Sequence, residues 1–409
     1  MTKVTLKART LKAVMSLIDK VIVDRTFMPD VFMWTTDEGG PTLHVAAFSP
    51  SASMLASLRV DAVEAGPLLT SAVAADELSA VMGSATNDDD VLLAKGNDPM
   101  LTIVTKGEVG RIRRDMPLSS ATCPDVRDLM HRDYTNPVPV DDIASAPKVA
   151  YACKGTETLS VLSNVIALCV PVEVPEGQQQ GETPHTWLFV GSDSFVFAIE
   201  GDLHNADLGA NYPDAIIAEA IPKLALSVIT KLANPVAAFG STNAANRSIY
   251  VEGTLYDAIV AARIASPAEA VPKAAIVHIL AAVKQSMHGA PYAIVDAKSW
   301  SLLAQQALLV QEGSLHLDMA RSELRFTAAA ASSAKVVVRV PAKKVNVDAT
   351  AHFGGDKLGK VAGASPVRNV EEVQVYFGSF STSELQPTFT LLTAQGGTHI
   401  NGTVSIVYT

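Results

Sequence analysis

The chain has 409 residues, of which 48% are hydrophobic and 18% are charged. This composition excludes a chain that is disordered in bulk, and the length predicts two to four domains. The formal net charge of −10 excludes a uniformly basic nucleic-acid-binding protein, but it leaves open a ring or groove that is basic only on its inner face.

The first 120 residues predict a strand, an amphipathic helix, three strands, a second helix and three closing strands. After a strand at residues 4–8, apolar side chains recur at i, i+3, i+4 and i+7 from Arg9 to Val21, the spacing of one buried helix face. The later elements are predicted at 31–36, 43–48, 54–60, 75–82, 91–94, 101–106 and 109–113. Five prolines between residues 115 and 147 then predict an interdomain connection.

A similar order of elements is predicted for the middle of the chain. It begins with a strand at 149–153 and an apolar helix at 157–168. A Gly/Gln/Glu/Pro-rich stretch at 175–184 predicts an exposed loop. The remaining elements are a hairpin turning at 191–193, a helix at 223–232 and strands at 248–252 and 255–264.

After a helical bridge at 268–288, the same order is predicted a third time. A strand at 292–296 leads into a helix at 298–309. Further strands are predicted at 314–319, 323–329, 335–340, 372–377, 389–394 and 404–408, with a short helix at 357–364. Such repetition predicts three small α+β domains at 1–120, 147–266 and 290–409, each with two helices packed on antiparallel sheets.

The cysteines and the N-terminus indicate a cytosolic protein. Cys123, Cys153 and Cys169 have no CxxC spacing, so we interpret them as small core residues in a reducing compartment. The N-terminus passes directly into a strand-like pattern without an apolar signal region. No apolar stretch reaches the length needed to span a membrane.

No catalytic motif is present, which favours a scaffold or binding role without a cofactor. The chain lacks GxGxxG, GxxxxGK[ST], HExxH and GxSxG. His185 and His204 could approach each other across a hairpin, but no third ligand is near, so we predict no metal site. Residues 88–90, three aspartates, fit a solvated turn better than a metal clamp. Residues 354–357 fit an ordinary helix start better than an anion cradle.

Basic residues concentrate on the polar faces of the predicted helices. These faces carry few acids, and their basic side chains are Arg9, Lys12, Lys20, Lys223, Lys231, Lys298, Lys357 and Lys360. In an acidic chain this segregation favours contacts with phosphates that do not read bases. The alternative is that lysines on exposed helix faces are ordinary solubilising surface.

The three repeats resemble the bacterial-type DNA polymerase sliding clamp, the β subunit family of DNA polymerase III. The most specific stretch is the N-terminal strand and helix followed by residues 24–29, where Arg25 precedes Pro29. Residues 218–223, which lead into a helix, also resemble a strand-Pro-Arg/Lys-helix element of the family's second domain. The resemblance implies that Arg25 faces DNA and that two chains of three domains assemble into a ring.

Two segments depart from the family pattern. A family run of Thr-Asp-Gly-His-Arg-Leu corresponds to residues 199–204, where only Gly201 is unchanged, and the family's Met-Pro-rich tail is replaced by residues 404–409. Since these segments flank the family's partner-peptide pocket, the resemblance implies a groove formed by Gly201, Leu203, Ile406 and Tyr408. The alternative is that these apolar residues are interdomain core. The departures favour a divergent member, such as a phage-encoded clamp.

The resemblance implies a ring-shaped processivity factor that encircles duplex DNA and tethers a replicative DNA polymerase. Its expected partners are double-stranded DNA, a DNA polymerase, a clamp loader and a second copy of the chain, with no membrane contact. The alternative function is a clamp-fold interaction hub or inhibitor that does not encircle DNA. An enzyme with an unrecognised site is a third hypothesis.

Overall fold

The structure is a computed structural model that describes residues 2–21, 28–37, 40–60, 62–64, 70–96, 98–108, 110–126, 129, 136–153, 160–173, 184–193, 196–209, 216–240, 247–267, 269–329, 335–362, 370–380 and 389–406. Internal contacts divide the chain into two units, each built from two separate segments. Unit 1 is Met1–Ala144 with Leu224–Ala268, and unit 2 is Ser145–Lys223 with Glu269–Thr409.

Unit 1 contains two antiparallel sheets. The five-stranded sheet has the order β5 (Ala62–Glu64), β1 (Thr2–Lys7), β7 (Asp90–Lys95), β8 (Met100–Gly107) and β9 (Gly110–Pro117). The eight-stranded sheet has the order β10 (Asn136–Val138), β15 (Ala233–Gly240), β16 (Ser248–Leu255), β17 (Ala258–Ala265), β4 (Ala52–Arg59), β3 (Thr42–Ser49), β2 (Asp30–Thr36) and β6 (Thr70–Ala74).

The helices of unit 1 bury one apolar face each. They are α1 (Ala8–Val21), α2 (Ala75–Ser84), α3 (Val140–Ile143) and α4 (Lys223–Ile229), which begins where the chain re-enters the unit. In α1 the buried side chains include Leu11, Val14, Met15 and Ile18, so the predicted periodicity is confirmed. This burial leaves the polar side chains of α1 on the opposite side.

Unit 2 contains one twelve-stranded sheet. Its first four strands are β14 (Ile217–Ile221), β11 (Val165–Pro171), β12 (His185–Ser192) and β13 (Val196–Glu200). The sheet continues with β25 (His399–Ile406), β24 (Phe389–Gly396), β23 (Glu372–Phe380), β18 (Tyr292–Asp296), β21 (Lys335–Val345), β20 (Glu323–Ala329), β19 (Glu312–Asp318) and β22 (Ala349–Gly354).

Three α-helices and two 3-10 helices complete unit 2. The α-helices are α5 (Lys273–Met287), α6 (Ala297–Ala307) and α7 (Gly355–Ala362), and the 3-10 helices span Ala146–Cys153 and Ser160–Ser163. Trp300 of α6 is fully buried in a core with Leu303, Phe326 and Leu358. Helices on antiparallel sheets confirm the predicted α+β class.

Two predictions for the middle of the chain are wrong. Residues 149–153 belong to a 3-10 helix, and residues 165–168 belong to strand β11 rather than to a helix. Every residue of β11 is buried, so both faces of the strand are apolar. A short run that is apolar on all sides has no periodicity, and periodicity cannot separate a buried strand from a buried helix. Residues 154–159 lie outside the described part of the chain.

The middle repeat is shared between the two units. Its strands β11, β12 and β13 lie in the sheet of unit 2, whereas β15, β16 and β17 lie in the larger sheet of unit 1. The antiparallel pairs β17–β4 and β13–β25 make these sheets continuous. The division of the chain into three domains therefore stays a prediction.

Within the described residues, no helix has both the length and the apolar character needed to cross a membrane.

Candidate nucleic-acid interface

Arg9 lies in the first turn of α1, and its charge has two partners. Its Nη2 is 3.5 Å from Asp257 Oδ2, and its guanidinium carbon lies 5.8 Å from the centre of the Tyr256 ring. Both partners belong to the turn between β16 and β17. Because an exposed ion pair is weak, Arg9 can still exchange this carboxylate for a phosphate.

Lys12 is more firmly held than Arg9. Its Nζ donates a hydrogen bond of 2.6 Å to the backbone oxygen of Ala85, the residue that follows α2. The same ammonium charge, after hydrogen bonds from Thr86, helps to lower the pKa of Asp89. Lys12 therefore joins α1 to the end of α2, and its side chain is only half-exposed.

Four lysines on the predicted helix faces form no ion pair in the described part of the chain. Lys20 lies in the last turn of α1, Lys223 is the first residue of α4, Lys231 follows the end of α4, and Lys298 lies in the first turn of α6. Lys223, Lys231 and Lys298 are exposed, and Lys20 is partly exposed. These side chains retain uncompensated positive charge.

The two lysines of α7 differ from that group. Lys360 Nζ is 3.2 Å from Asp193 Oδ2, and the Asp193 side chain is mostly buried, so this charge is largely compensated. Lys357 is half-buried. Arg25, the residue carried over most directly from the resemblance, lies outside the described residues.

Two of the residues predicted for a partner groove, Gly201 and Leu203, serve the internal packing of unit 2. Gly201 has φ +124°, and a side chain there would collide with the Trp187 backbone oxygen, so its glycine is required by the backbone. Leu203 is only 1% exposed and packs in a core that includes Ile276 and Leu280. This burial agrees with the alternative reading of Leu203 as core.

The register of β13 and β25 also separates the two halves of that predicted groove. Glu200 lies opposite His399, and Val196 lies opposite Thr403. Gly201 and Leu203 therefore follow the end of β13 that adjoins the start of β25, whereas Ile406 is the last residue of β25. For Ile406 only the backbone is described, and Tyr408 lies outside the described residues.

A groove that the sequence did not predict lies beside His204 in unit 2. Its volume is about 860 Å³, and its walls include Leu208, Lys284, Met287, His288, Tyr292 and Tyr376. The Tyr292 and Tyr376 rings form one corner, with centroids 5.9 Å apart. Burial, and then the neighbouring Tyr292, raise the pKa of Tyr376.

Helix α5 forms one side of this groove. It lies within the helical bridge predicted at 268–288, and its buried stripe of Ile276, Leu280, Val283 and Met287 follows helical spacing. Lys284 fixes the helix by an ion pair of 2.5 Å to Glu173 and a hydrogen bond of 2.9 Å to the Ala206 oxygen. The groove therefore combines apolar walls with charge at its edge.

A buried polar network joins β13, β25 and the 3-10 helix Ala146–Cys153. The Glu200 carboxylate accepts hydrogen bonds from His399 Nδ1 at 2.9 Å and Thr398 Oγ1 at 2.8 Å, and Lys148 Nζ lies at 3.2 Å. Burial alone would raise the pKa of Glu200, but these bonds and the Lys148 charge outweigh it and lower the pKa.

The network continues beyond His399. His399 Nε2 lies 2.6 Å from Asn401 Oδ1, which also accepts a hydrogen bond from the Tyr151 hydroxyl. Burial, followed by the nearby Cys153, raises the pKa of Tyr151, so this phenol stays protonated. Because every member has a partner within the protein and the network lies outside the groove walls, we assign it a structural role.

The histidines and cysteines singled out in the sequence lie in different environments. His185 is exposed on β12, and His204 hydrogen-bonds to Gln395, so the two are not paired. Among the described residues, no cluster of three or more His, Cys, Asp or Glu side chains could hold a metal ion. Cys153 and Cys169 are buried, as predicted, but Cys123 is exposed.

Comparisons with known proteins identify the fold. No protein-family model matches the sequence, and no curated protein matches it. The DNA polymerase sliding clamp of Pseudomonas aeruginosa is 12% identical, with a TM-score of 0.67 over 100% of both chains. The sliding clamp of Bacillus subtilis is 14% identical, with a TM-score of 0.65 over 100% of this chain and 99% of that one.

A third solved structure adds a bound partner. The Helicobacter pylori beta clamp, bound to a DNA ligase peptide, is 12% identical, with a TM-score of 0.66 over 99% of this chain and 100% of that one. Such low identity shows the fold alone. The chain is a divergent protein with the fold of the bacterial DNA polymerase III beta sliding clamps.

Proposed function

We propose that this protein is a DNA sliding clamp, a ring of two copies that encircles duplex DNA and tethers a DNA polymerase. The observation that carries the proposal is the match to sliding clamps over the full length of both chains. The uncompensated lysines Lys20, Lys223, Lys231 and Lys298 support it, since they supply phosphate contacts without base recognition. This role needs no catalysis and no cofactor, and a clamp loader is an expected partner.

In the dimer, an open sheet edge in the first repeat of one copy would pair with an open sheet edge in the third repeat of the other copy. Strand β9 is an edge strand whose Ile112 side chain is 43% exposed. One edge of β21 pairs with β20 over Lys335–Pro341. The other edge of β21 pairs with β18 only from Ala342 onward, so its first half is open. Val337, also 43% exposed, lies on this half of β21. Unpaired edges and exposed apolar side chains favour strand addition between copies.

The experiment that tests encirclement compares closed and open DNA. The dimer is assembled in the presence of nicked circular plasmid and passed through a sizing column at high salt, which removes non-specific contacts. We expect the protein to remain with the circle and to be released when a restriction enzyme linearises it. Equal retention on circular and linear DNA, or a monomer by light scattering, would contradict the proposal.

One observation favours the alternative of a clamp-fold interaction hub that does not encircle DNA. Arg9 and Lys360, both expected to contact DNA, are paired with Asp257 and Asp193. If the hub interpretation holds, the protein should bind its partners equally well with and without DNA and should show no preference for circular plasmid.

We further propose that the groove beside His204 binds a short linear peptide of the polymerase. Support comes from its apolar walls of Leu208 and Met287, its tyrosine corner and its size. The Helicobacter pylori relative binds a peptide, which makes this mode of partner binding a reasonable expectation for the fold.

A random peptide library displayed on phage tests this groove. We expect enriched peptides to carry an aliphatic or aromatic anchor and to lose binding to Leu208→Asp. The matched control is Leu309→Asp, because Leu309 is an exposed leucine that does not line the groove. Peptides that bind both variants equally would place the partner site elsewhere.

A further inference from the structure

Four neighbouring strands of unit 2 place Thr350, His316, Arg325 and Arg339 in one row. Thr350 lies opposite His316, His316 opposite Arg325, and Arg325 opposite Arg339. The side chains that alternate with them, including Leu315, Leu324, Phe326 and Val340, are buried in the core of the unit. The row therefore lies on the face of the sheet that points away from that core.

The two arginines of this row face each other without a carboxylate between them. Directly opposed residues on antiparallel strands have Cβ atoms about 5 Å apart, and like charges at that distance destabilise the sheet. Neither Arg325 nor Arg339 forms an ion pair within the described part of the chain. The Arg325 Nε–H is buried and has no acceptor there. A buried donor of this kind calls for an acceptor, which can be the oxygen of a water or of a ligand.

The nearest acids are already engaged by a different arginine. Asp318 and Glu323 face each other one row further along β19 and β20. Arg321, in the turn between these strands, lies 3.8 Å from Asp318 Oδ2 and 4.0 Å from Glu323 Oε1. In the described part of the chain, neither acid forms an ion pair with Arg325 or Arg339.

Hydroxyl and imidazole groups surround the arginine pair. His316 Nδ1 lies 2.9 Å from Thr350 Oγ1, and its Nε2 lies 3.0 Å from Thr327 Oγ1. On the next row, His352 Nδ1 lies 2.7 Å from Ser314 Oγ. Burial, then the charge of Arg325, then His352 lower the pKa of His316. These mutual hydrogen bonds occupy both ring nitrogens of His316. The donors that suit an oxyanion on this face are therefore those of the two arginines, which carry fixed positive charge.

We propose that Arg325 and Arg339, with Thr327 and His316 beside them, bind a phosphate group on this face of unit 2. A phosphate dianion offers oxygens for both guanidinium forks and an acceptor for the Arg325 Nε–H. The ligand is inorganic phosphate or a phosphate monoester on a small molecule, since both present the same terminal oxygens. The proposal stands independently of the clamp function.

Isothermal titration at low salt tests the site. Inorganic phosphate and O-phosphoserine are titrated separately into the full-length protein, with chloride at matched ionic strength as the reference. We expect saturable binding of one phosphate per chain. Binding of phosphate alone identifies the free ion as the ligand, and tighter binding of O-phosphoserine identifies a monoester. Arg339→Gln and Arg325→Gln should each weaken binding about tenfold or more, because charge-assisted hydrogen bonds are lost.

The matched control is Arg321→Gln, which removes an arginine from the same sheet but one that already has carboxylate partners. It should leave phosphate affinity unchanged within about twofold. A second readout is the melting temperature, which phosphate should raise in the natural protein and in Arg321→Gln but not in Arg339→Gln. Absence of saturable binding, or equal loss in Arg321→Gln and Arg339→Gln, would overturn the proposal.

Discussion

Glu200 and His399 face each other where β13 pairs with β25, and Glu200 Oε2 lies 2.9 Å from His399 Nδ1. Their side chains are only 5% and 4% exposed. The two residues are 199 positions apart in the chain. This buried pair therefore fixes the register between a strand of the middle repeat and the last strand of the chain.

Replacing Glu200 by alanine should lower the free energy of unfolding by about 3 kcal/mol, since it leaves His399 and Lys148 without their carboxylate. Urea denaturation followed by circular dichroism measures the change. Glu173→Ala is the control, because its exposed ion pair with Lys284 should contribute less than about 1 kcal/mol. Equal losses in the two variants would argue against a special role for the buried pair.

The Glu200 carboxylate should also make the stability of the folded protein depend on pH. Because the folded-state pKa of Glu200 is lowered from 4.5, its contribution is present above that value and is lost as pH falls through the lower folded-state value. Melting temperatures measured from neutral pH down to about pH 3 should therefore fall more steeply for the natural protein than for Glu200→Ala. Parallel curves would show that the carboxylate is not responsible.

Gly402→Ala should destabilise the protein by about 1–3 kcal/mol, since a Cβ on β25 would overlap the buried Phe197 ring of β13. Gly83→Ala is the opposite case. It lies in helix α2 with no atom near the new methyl group, so alanine should be neutral or stabilise by about 0.5–1 kcal/mol. Thermal denaturation of both variants checks this contrast. If Gly402→Ala is as stable as the natural protein, the Phe197 ring does not lie against residue 402.

Changing Lys20 and Lys231 together to glutamate should weaken retention on circular DNA and reduce its dependence on salt, because both residues carry uncompensated charge in unit 1. Retention on nicked plasmid over a salt series is the measurement. Arg59→Glu makes a charge reversal on an exposed strand residue and should have little effect. If Arg59→Glu lowers retention as strongly as the double variant, the effect is one of net charge alone.

Association of two copies through β9 and β21 should strengthen as salt increases. Arg111 and Arg114 lie on β9, where Arg113 is already paired with Asp115, and Arg339 lies on the open half of β21, so the two edges repel. Arg114→Glu should therefore increase the dimer fraction at low salt, measured by light scattering, whereas Lys231→Glu should not. A dimer that dissociates with added salt would indicate that other surfaces meet.

The sequence predicted those elements whose two faces differ. Helices α1 and α6 each bury one stripe, so periodicity located them. Strands β12 and β13 are largely buried on both faces, and the turn residues at 191–193 indicated the hairpin between them. Strand β11 is buried on both faces, and β15 has its second residue, Asn234, at φ 49° and a register shift before Val236. These two strands lack a periodic signal, so their position depends on contacts with distant strands.

The candidate interface was predictable only as a set of exposed basic residues. Helical spacing places Lys12 and Lys20 away from the apolar stripe of α1, but it does not reveal the Ala85 oxygen that holds Lys12. Likewise the partners of Arg9 and Lys360 are 248 and 167 residues away. Tertiary contacts at such separations decide which charges stay available, and a single sequence does not contain them.

The pairing of β4 with β17 has a consequence for synthesis of the protein on the ribosome. Leu58 pairs with Ala258, so about 200 further residues must be synthesised before the partner strand of β4 exists. At ordinary translation speeds this interval lasts roughly 10–40 s. During it, nascent unit 1 presents an open strand that other chains can join. The translation rate should therefore affect how much of the newly made protein reaches this fold, since slower synthesis lengthens the exposure of β4.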